Sequence, residues 1–150
     1  MKSLDDTKFD PRSKVTLDEV KAEVVFRSLV PSIIERGGIS GDPKKWAVAG
    51  PANILQVISD QNEEGDHYFL ANCFILNTLF ESGAIEFDGK EVAINDYEKY
   101  YEIQKNVAEE VLSFYKDQKN SGANTLRDWV RNKCKPSEKT RALADFVKTN

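Results

Sequence analysis

The side chains of this 150-residue chain that could do acid–base, metal or nucleophilic chemistry are few and widely spread. There is one histidine, His67, and there are two cysteines, Cys73 and Cys134. Glu19 and Glu23 are four apart, so on a helix they share a face, where paired carboxylates hold a metal or move protons. Against this stands an ordinary role for Glu19 as a helix-capping carboxylate. Glu63-Glu64 and Glu109-Glu110 read as solvated turn or helix surface. His67 follows Asp66 in the first turn of an expected helix, where a polar or capping-region role competes with a site role. A Ser–His or Cys–His hydrolase would need His67 as its base, and nothing in its sequence context marks a nucleophile. His-Glu-x-x-His, Cys-x-x-Cys, a phosphate-binding glycine loop and a Gly-x-Ser-x-Gly elbow are all absent. A complete zinc or Ser/Cys–His apparatus is therefore not expected within this chain.

Cys73 sits in the apolar run Ala71-Asn72-Cys73-Phe74-Ile75-Leu76, which predicts a buried, inert thiol. Cys134 lies between Lys133 and Lys135, a setting that lowers a thiol pKa when the charges reach it. With no signal peptide in view, two free thiols in a reducing cytoplasm are expected. Hydrophobic residues make up 40% of the chain and charged residues 31%, enough to build one solvated domain around a real core. The net charge of −4, from 21 Lys+Arg against 25 Asp+Glu, lacks the footprint of a non-specific nucleic-acid binder. No apolar stretch reaches the length of a bilayer span, so no membrane partner is expected.

The elements that must position these groups are mostly helical. Residues 1–15 read as a flexible leader, and 16–150 as a single helical domain. Thr16-Leu17-Asp18-Glu19 has the form of a capping box, followed by Val20, Val24, Leu29 and Ile33 at helical spacing. Pro31 within that pattern predicts a kink or a division near Leu29–Val30, and Gly37-Gly38 an end. A loop over 37–50 with Trp46 as its anchor leads to a helix from Pro51 through Ile58. Asp66 is expected to cap a helix running to Gly83 that is apolar on more than one face, hence central. Two alternating runs around Asp88-Gly89 predict a β-hairpin over 84–94 with a type I′ turn. Asn95 and Glu98 frame the cap of a long helix over about 96–119. A short helix begun by Thr125 and a last one carrying Leu143, Phe146 and Val147 follow, separated by Pro136. The fold class is mainly α: a single-domain multi-helix bundle with one small β-hairpin.

The segment Leu17-Asp18-Glu19-Val20-Lys21-Ala22-Glu23 resembles the Glu-Glu-x-Lys/Arg-Ala-Asp/Glu segment of the dipeptidyl-peptidase-III-like zinc metallopeptidases. Ala71 through Ile85 is similar to that family's Asn-x-x-x-x-Asn-Tyr-Leu-x-x-Gly-Ala stretch, and the hairpin and the helix from Asp96 also have counterparts. The resemblance covers roughly residues 16–120, as short motifs in order. It implies that Glu19 is a zinc ligand, with Glu23 and His67 in supporting positions that orient it. The family's helix with two histidines and a catalytic glutamate belongs upstream of this segment, and residues 1–15 contain no histidine. Zinc is thus expected only if a histidine-bearing partner completes the site, and no cofactor by the chain itself.

Two readings follow. In one, the chain is a non-catalytic or incomplete helical module akin to the C-terminal part of a zinc exopeptidase, a split half or a degenerate relative, active only with a partner. In the other, the similarity is that of any amphipathic helices, and the chain is a stand-alone protein-interaction domain. Its surface would then include the apolar-rich final segment around Trp129, Phe146 and Val147.

Overall fold

A computed structural model describes residues 9–38, 40–42, 67–117 and 123–149. Five helices and one hairpin follow in order: α1 (Pro11–Glu35), α2 (His67–Glu81), β1 (Ile85–Phe87), β2 (Val92–Ile94), α3 (Tyr97–Lys116), α4 (Ala123–Lys133) and α5 (Glu138–Thr149). The expected class holds: a mainly helical single domain with a two-stranded antiparallel sheet. The Trp46 loop, the helix from Pro51 and the Asp66 cap lie outside the described residues.

Helix α1 starts earlier than its capping-box pattern suggests. Asp10 is its cap: the Asp10 Oδ1 accepts from the backbone amides of Arg12 (3.1 Å) and Ser13 (3.2 Å). Pro11 occupies the first helical position, where its missing N–H breaks no hydrogen bond. Residues 9–15, expected in a leader, instead bury Phe9 and Ser13, and Pro11 to Val15 are already helical. Thr16 is consequently inside the helix and cannot cap it, and the Thr16–Glu19 box is not formed. The helix is also continuous through Pro31, so the expected division does not occur.

Helix α2 is the central element. Phe69, Ala71, Cys73, Phe74, Ile75, Leu76, Leu79 and Phe80 are all buried, and α1, α3, α4 and α5 all pack against it. From α1 come Leu17 and Val20, and from α3 Tyr100, Val107, Val111, Phe114 and Tyr115, at the three- and four-residue spacing of one helix face. Phe74, 2% exposed, lies 4.7 Å from the Trp129 ring, which also meets Phe114 edge-on at 5.4 Å. Burying a phenylalanine of this kind contributes roughly 1.5–3 kcal/mol.

Helix α2 stops at a Schellman motif. The Ala84 amide donates to the Leu79 carbonyl and the Gly83 amide to that of Phe80, both at 3.1 Å. Gly83 takes φ +72°, which only a residue without Cβ adopts at no strain. The chain then enters the hairpin, with Ile85 opposite Ile94 and Phe87 opposite Val92. Its turn is not the expected type I′ form, because that form needs positive φ at Asp88 and only Gly89 has it. Instead the Asp88 Oδ1 accepts from the amides of Lys90 and Glu91, both at 2.8 Å. Helix α3 is capped by Asp96 rather than Asn95, its Oδ1 accepting from the Glu98 and Lys99 amides. No helix among the described residues is long and apolar enough to cross a membrane.

Candidate functional site

The three residues singled out for metal chemistry, Glu19, Glu23 and His67, come from α1 and the first position of α2. Helix packing brings His67 to α1: its Nδ1 lies 3.1 Å from the Thr16 Oγ1. The Thr16 hydroxyl also donates to the Arg12 carbonyl at 3.0 Å. When its single proton is directed there, Thr16 accepts from His67, and the proton of that bond sits on Nδ1. In the neutral ring, Nε2 is then the acceptor. Thr16 is buried and His67 half-buried. Glu19 stands one turn beyond Thr16 on the same side of α1, and Glu23 one turn further. His67 of α2 thus lies against Thr16 of α1, the helix that carries both carboxylates. Glu19 and Glu23 are both half-buried, and each makes its own polar contacts. Among the described residues, no three His, Cys, Asp or Glu side chains gather closely enough to hold a metal ion.

Beside these lies a second polar cluster, joining α1 to α3. The Tyr115 hydroxyl donates to the Asp18 Oδ1 at 2.5 Å. The Lys21 ammonium lies 3.4 Å from that same oxygen and 4.3 Å from the centre of the Tyr115 ring. Burial first, and then the Asp18 carboxylate, push the Tyr115 phenol well above its ordinary range. The phenol therefore stays protonated and serves as a donor that fixes α3 on α1.

The largest polar assembly among the described residues does not follow from spacing, and it centres on Asn77 of α2. Its Nδ2 donates to the carbonyls of Lys133 (3.0 Å) and Lys135 (2.8 Å). Its Oδ1 accepts from the Ser137 amide (2.9 Å) and the Thr140 hydroxyl (2.7 Å). Every donor and lone pair of the amide is satisfied. The Ser137 Oγ in turn donates to the Thr140 Oγ1 at 3.1 Å and accepts from the Thr140 amide at 3.2 Å, capping α5. One buried side chain thereby fixes the whole α4–α5 turn onto the central helix. The available signal was an asparagine inside a mostly apolar helix, a signal Asn72 shares, and its partners lie 56 to 63 residues away.

Cys134 sits in this turn, between the two carbonyls that Asn77 holds. It does not have the lowered pKa that flanking lysines suggest. Lys133 and Lys135 point to solvent while the thiol is buried, and burial, with smaller contributions from Cys73 and Glu110, pushes its pKa well up. Cys73 is buried as well and forms no disulfide, as its apolar run predicts. Trp129 is also buried, donating its ring N–H to the Glu110 Oε1 at 2.8 Å, so it is not part of an exposed final patch. Phe146, whose ring is tilted against that of Phe87 with centres 5.4 Å apart, and Val147 are half-buried. The large hydrophobic side chains that are exposed among the described residues are Val15 and Tyr68.

The chain matches no protein-family model, no curated protein and no solved structure.

Proposed function

We propose that this chain is a non-catalytic helical module that acts by binding another protein. The supporting observation is the Thr16–His67 bond: the single histidine is tied at 3.1 Å to a buried threonine inside α1, whose hydroxyl also has the Arg12 carbonyl of its own helix as an acceptor at 3.0 Å. A hydroxyl in that arrangement accepts a proton contact from the ring, whereas a nucleophile must give its proton to the base. Both thiols are buried, and the Cys134 thiol is held protonated, the form that does not attack. Their place is in the core, not in a reactive cleft. The test is turnover by the purified chain across peptide and ester substrates, with and without added zinc. The expected result is no activity above that of a His67→Ala variant. Turnover that disappears in that variant overturns the reading.

A second reading keeps the metallopeptidase resemblance. The helix start at Pro11 removes the capping role that competed for Glu19, and His67 lies against the same stretch of α1 with Nε2 as its acceptor. In this reading Glu19 is one zinc ligand, Glu23 and His67 support it, and a partner chain supplies histidines. Calorimetric zinc titration decides it. Zinc uptake that needs a histidine-bearing partner and is lost in Glu19→Gln supports this second reading, and uptake unchanged by Glu19→Gln excludes it.

A further inference from the structure

Residues 123–149 carry seven Lys and Arg against three Asp and Glu, in a chain whose overall charge is −4. The imbalance is concentrated around the α4–α5 turn. Arg131, Lys133, Lys135 and Lys139 are all exposed, and none forms an ion pair among the described residues. From Arg131 to Arg141, Glu138 is the single carboxylate.

Helix electrostatics accounts for part of this arrangement only. Arg131 and Lys133 lie in the last turn of α4, where a cation complements the negative end of the dipole. Lys135 lies beyond the helix. Lys139 lies in the first turn of α5, at the positive end, where a cation is disfavoured. Placing these four charges close together opposes stability, yet the backbone that carries them is the most firmly held turn described. Asn77 grips the carbonyls of Lys133 and Lys135, the residues on either side of the buried Cys134, and the amide of Ser137. The cations are therefore presented from a fixed frame, which lowers the ordering cost of recognition.

We propose that the α4–α5 turn is a docking surface for an acidic segment, rich in Asp and Glu, of a partner protein. This rests on the reading of the chain as a binding module and names the chemistry of its partner. Charge complementarity selects an anionic occupant. Two observations favour a peptide over nucleic acid. The aromatic side chain of α4, Trp129, is buried and offers no face for base stacking. The chain is acidic as a whole, so it repels a long polyanion while a short acidic segment meets only the local field.

The experiment measures binding of a fluorescent synthetic Asp/Glu peptide to the whole chain, against its Asn/Gln counterpart and a single-stranded oligonucleotide of equal length. The acidic peptide is expected to bind, the neutral one not, and binding to weaken as salt is raised. The triple variant Lys133→Gln, Lys135→Gln, Lys139→Gln should lose about tenfold in affinity, because each exposed charge contributes modestly. Its far-ultraviolet dichroism should be unchanged, since the backbone groups held by Asn77 remain. A control triple at Lys90, Lys99 and Lys105, exposed lysines elsewhere, should leave binding intact. No binding, equal loss in both triples, or tighter binding of the oligonucleotide overturns the proposal. Those results, together with absent turnover, leave the non-catalytic reading standing. Substrate turnover removes that reading whatever the peptide does.

Discussion

Two asparagines lie five residues apart on α2, both buried, and they live under opposite conditions. Asn77 has every donor and lone pair matched and joins three elements. Asn72 donates once, at 2.8 Å, to the Tyr68 carbonyl of its own helix, and its Oδ1 has no hydrogen-bond partner among the described residues. The Gln104 Oε1 on α3 is in the same condition. A buried amide is valuable when its partners are themselves backbone groups without an alternative, and a liability when its bonds stay within one helix. The same residue type thus secures one end of the helix and weakens the other.

The sharpest way to break that contrast is Asn77→Ala. It strands two carbonyls, one amide and one hydroxyl together, and should lower the unfolding free energy by about 4 kcal/mol, a large share of a typical domain's stability. Urea denaturation measures it, and a loss under about 1 kcal/mol would dissolve the distinction between the two asparagines. The alkaline limb of stability comes next. The folded-state pKa of Cys134 is raised by burial, so the unfolded chain releases its proton first, near pH 8.5. Stability contributed by the protonated thiol is complete below that pH and falls above it, at up to about 1.4 kcal/mol per pH unit. Tyr115, raised in the same sense, adds to the decline from about pH 10. Urea midpoints between pH 7 and pH 10 should therefore fall in the native chain and fall less steeply in Cys134→Ala. Equal slopes would place Cys134 outside the sealed turn.

Thr140→Val is a smaller perturbation. It keeps the shape and removes one of the two donors to the Asn77 Oδ1, for a loss of about 1–2 kcal/mol. A double-mutant cycle with Asn77→Ala should return a coupling above about 0.5 kcal/mol, and strict additivity would show the hub to be a set of independent contacts. The least effect belongs to Asn72→Leu. Replacing a half-satisfied buried amide with a similar apolar side chain should change stability by less than about 1 kcal/mol, with either sign open to repacking. A loss as large as that of Asn77→Ala would mean that Asn72 has a partner of equal weight.

What could be read along the chain was whatever is written locally. The alternation around Asp88-Gly89 announced the hairpin, and the apolar-rich stretch from Phe69 to Phe80, apolar on more than one face, announced the central helix. Helix caps differ from the expected ones by one to six residues where two local signals compete. Thr16 with Glu19 satisfies the capping-box pattern, but Asp10-Pro11 carries a better pair of cues, a capping carboxylate and a first-turn proline. The helix took the earlier start because that also buries Phe9 and Ser13. The same competition moved the α3 cap from Asn95 to Asp96, since Asn95 instead donates to the Gly83 carbonyl at 3.3 Å. Nothing local could pair His67 with Thr16 or Asn77 with Thr140, because those pairs depend on how helices cross. Cys134 was misjudged for a related reason: its lysine neighbours are adjacent in sequence but point away from it, and burial prevails.

The enclosure of Cys134 also gives the molecule a clock. A thiol reagent can reach that sulfur only when the turn swings off the Asn77 amide or the whole domain opens. With the two cysteines labelled under the same conditions, their rates separate the two events. If Cys134 modifies faster than Cys73 of the central helix, the α4–α5 turn detaches as a unit ahead of global unfolding. If the rates coincide, the turn and the core open in one cooperative step.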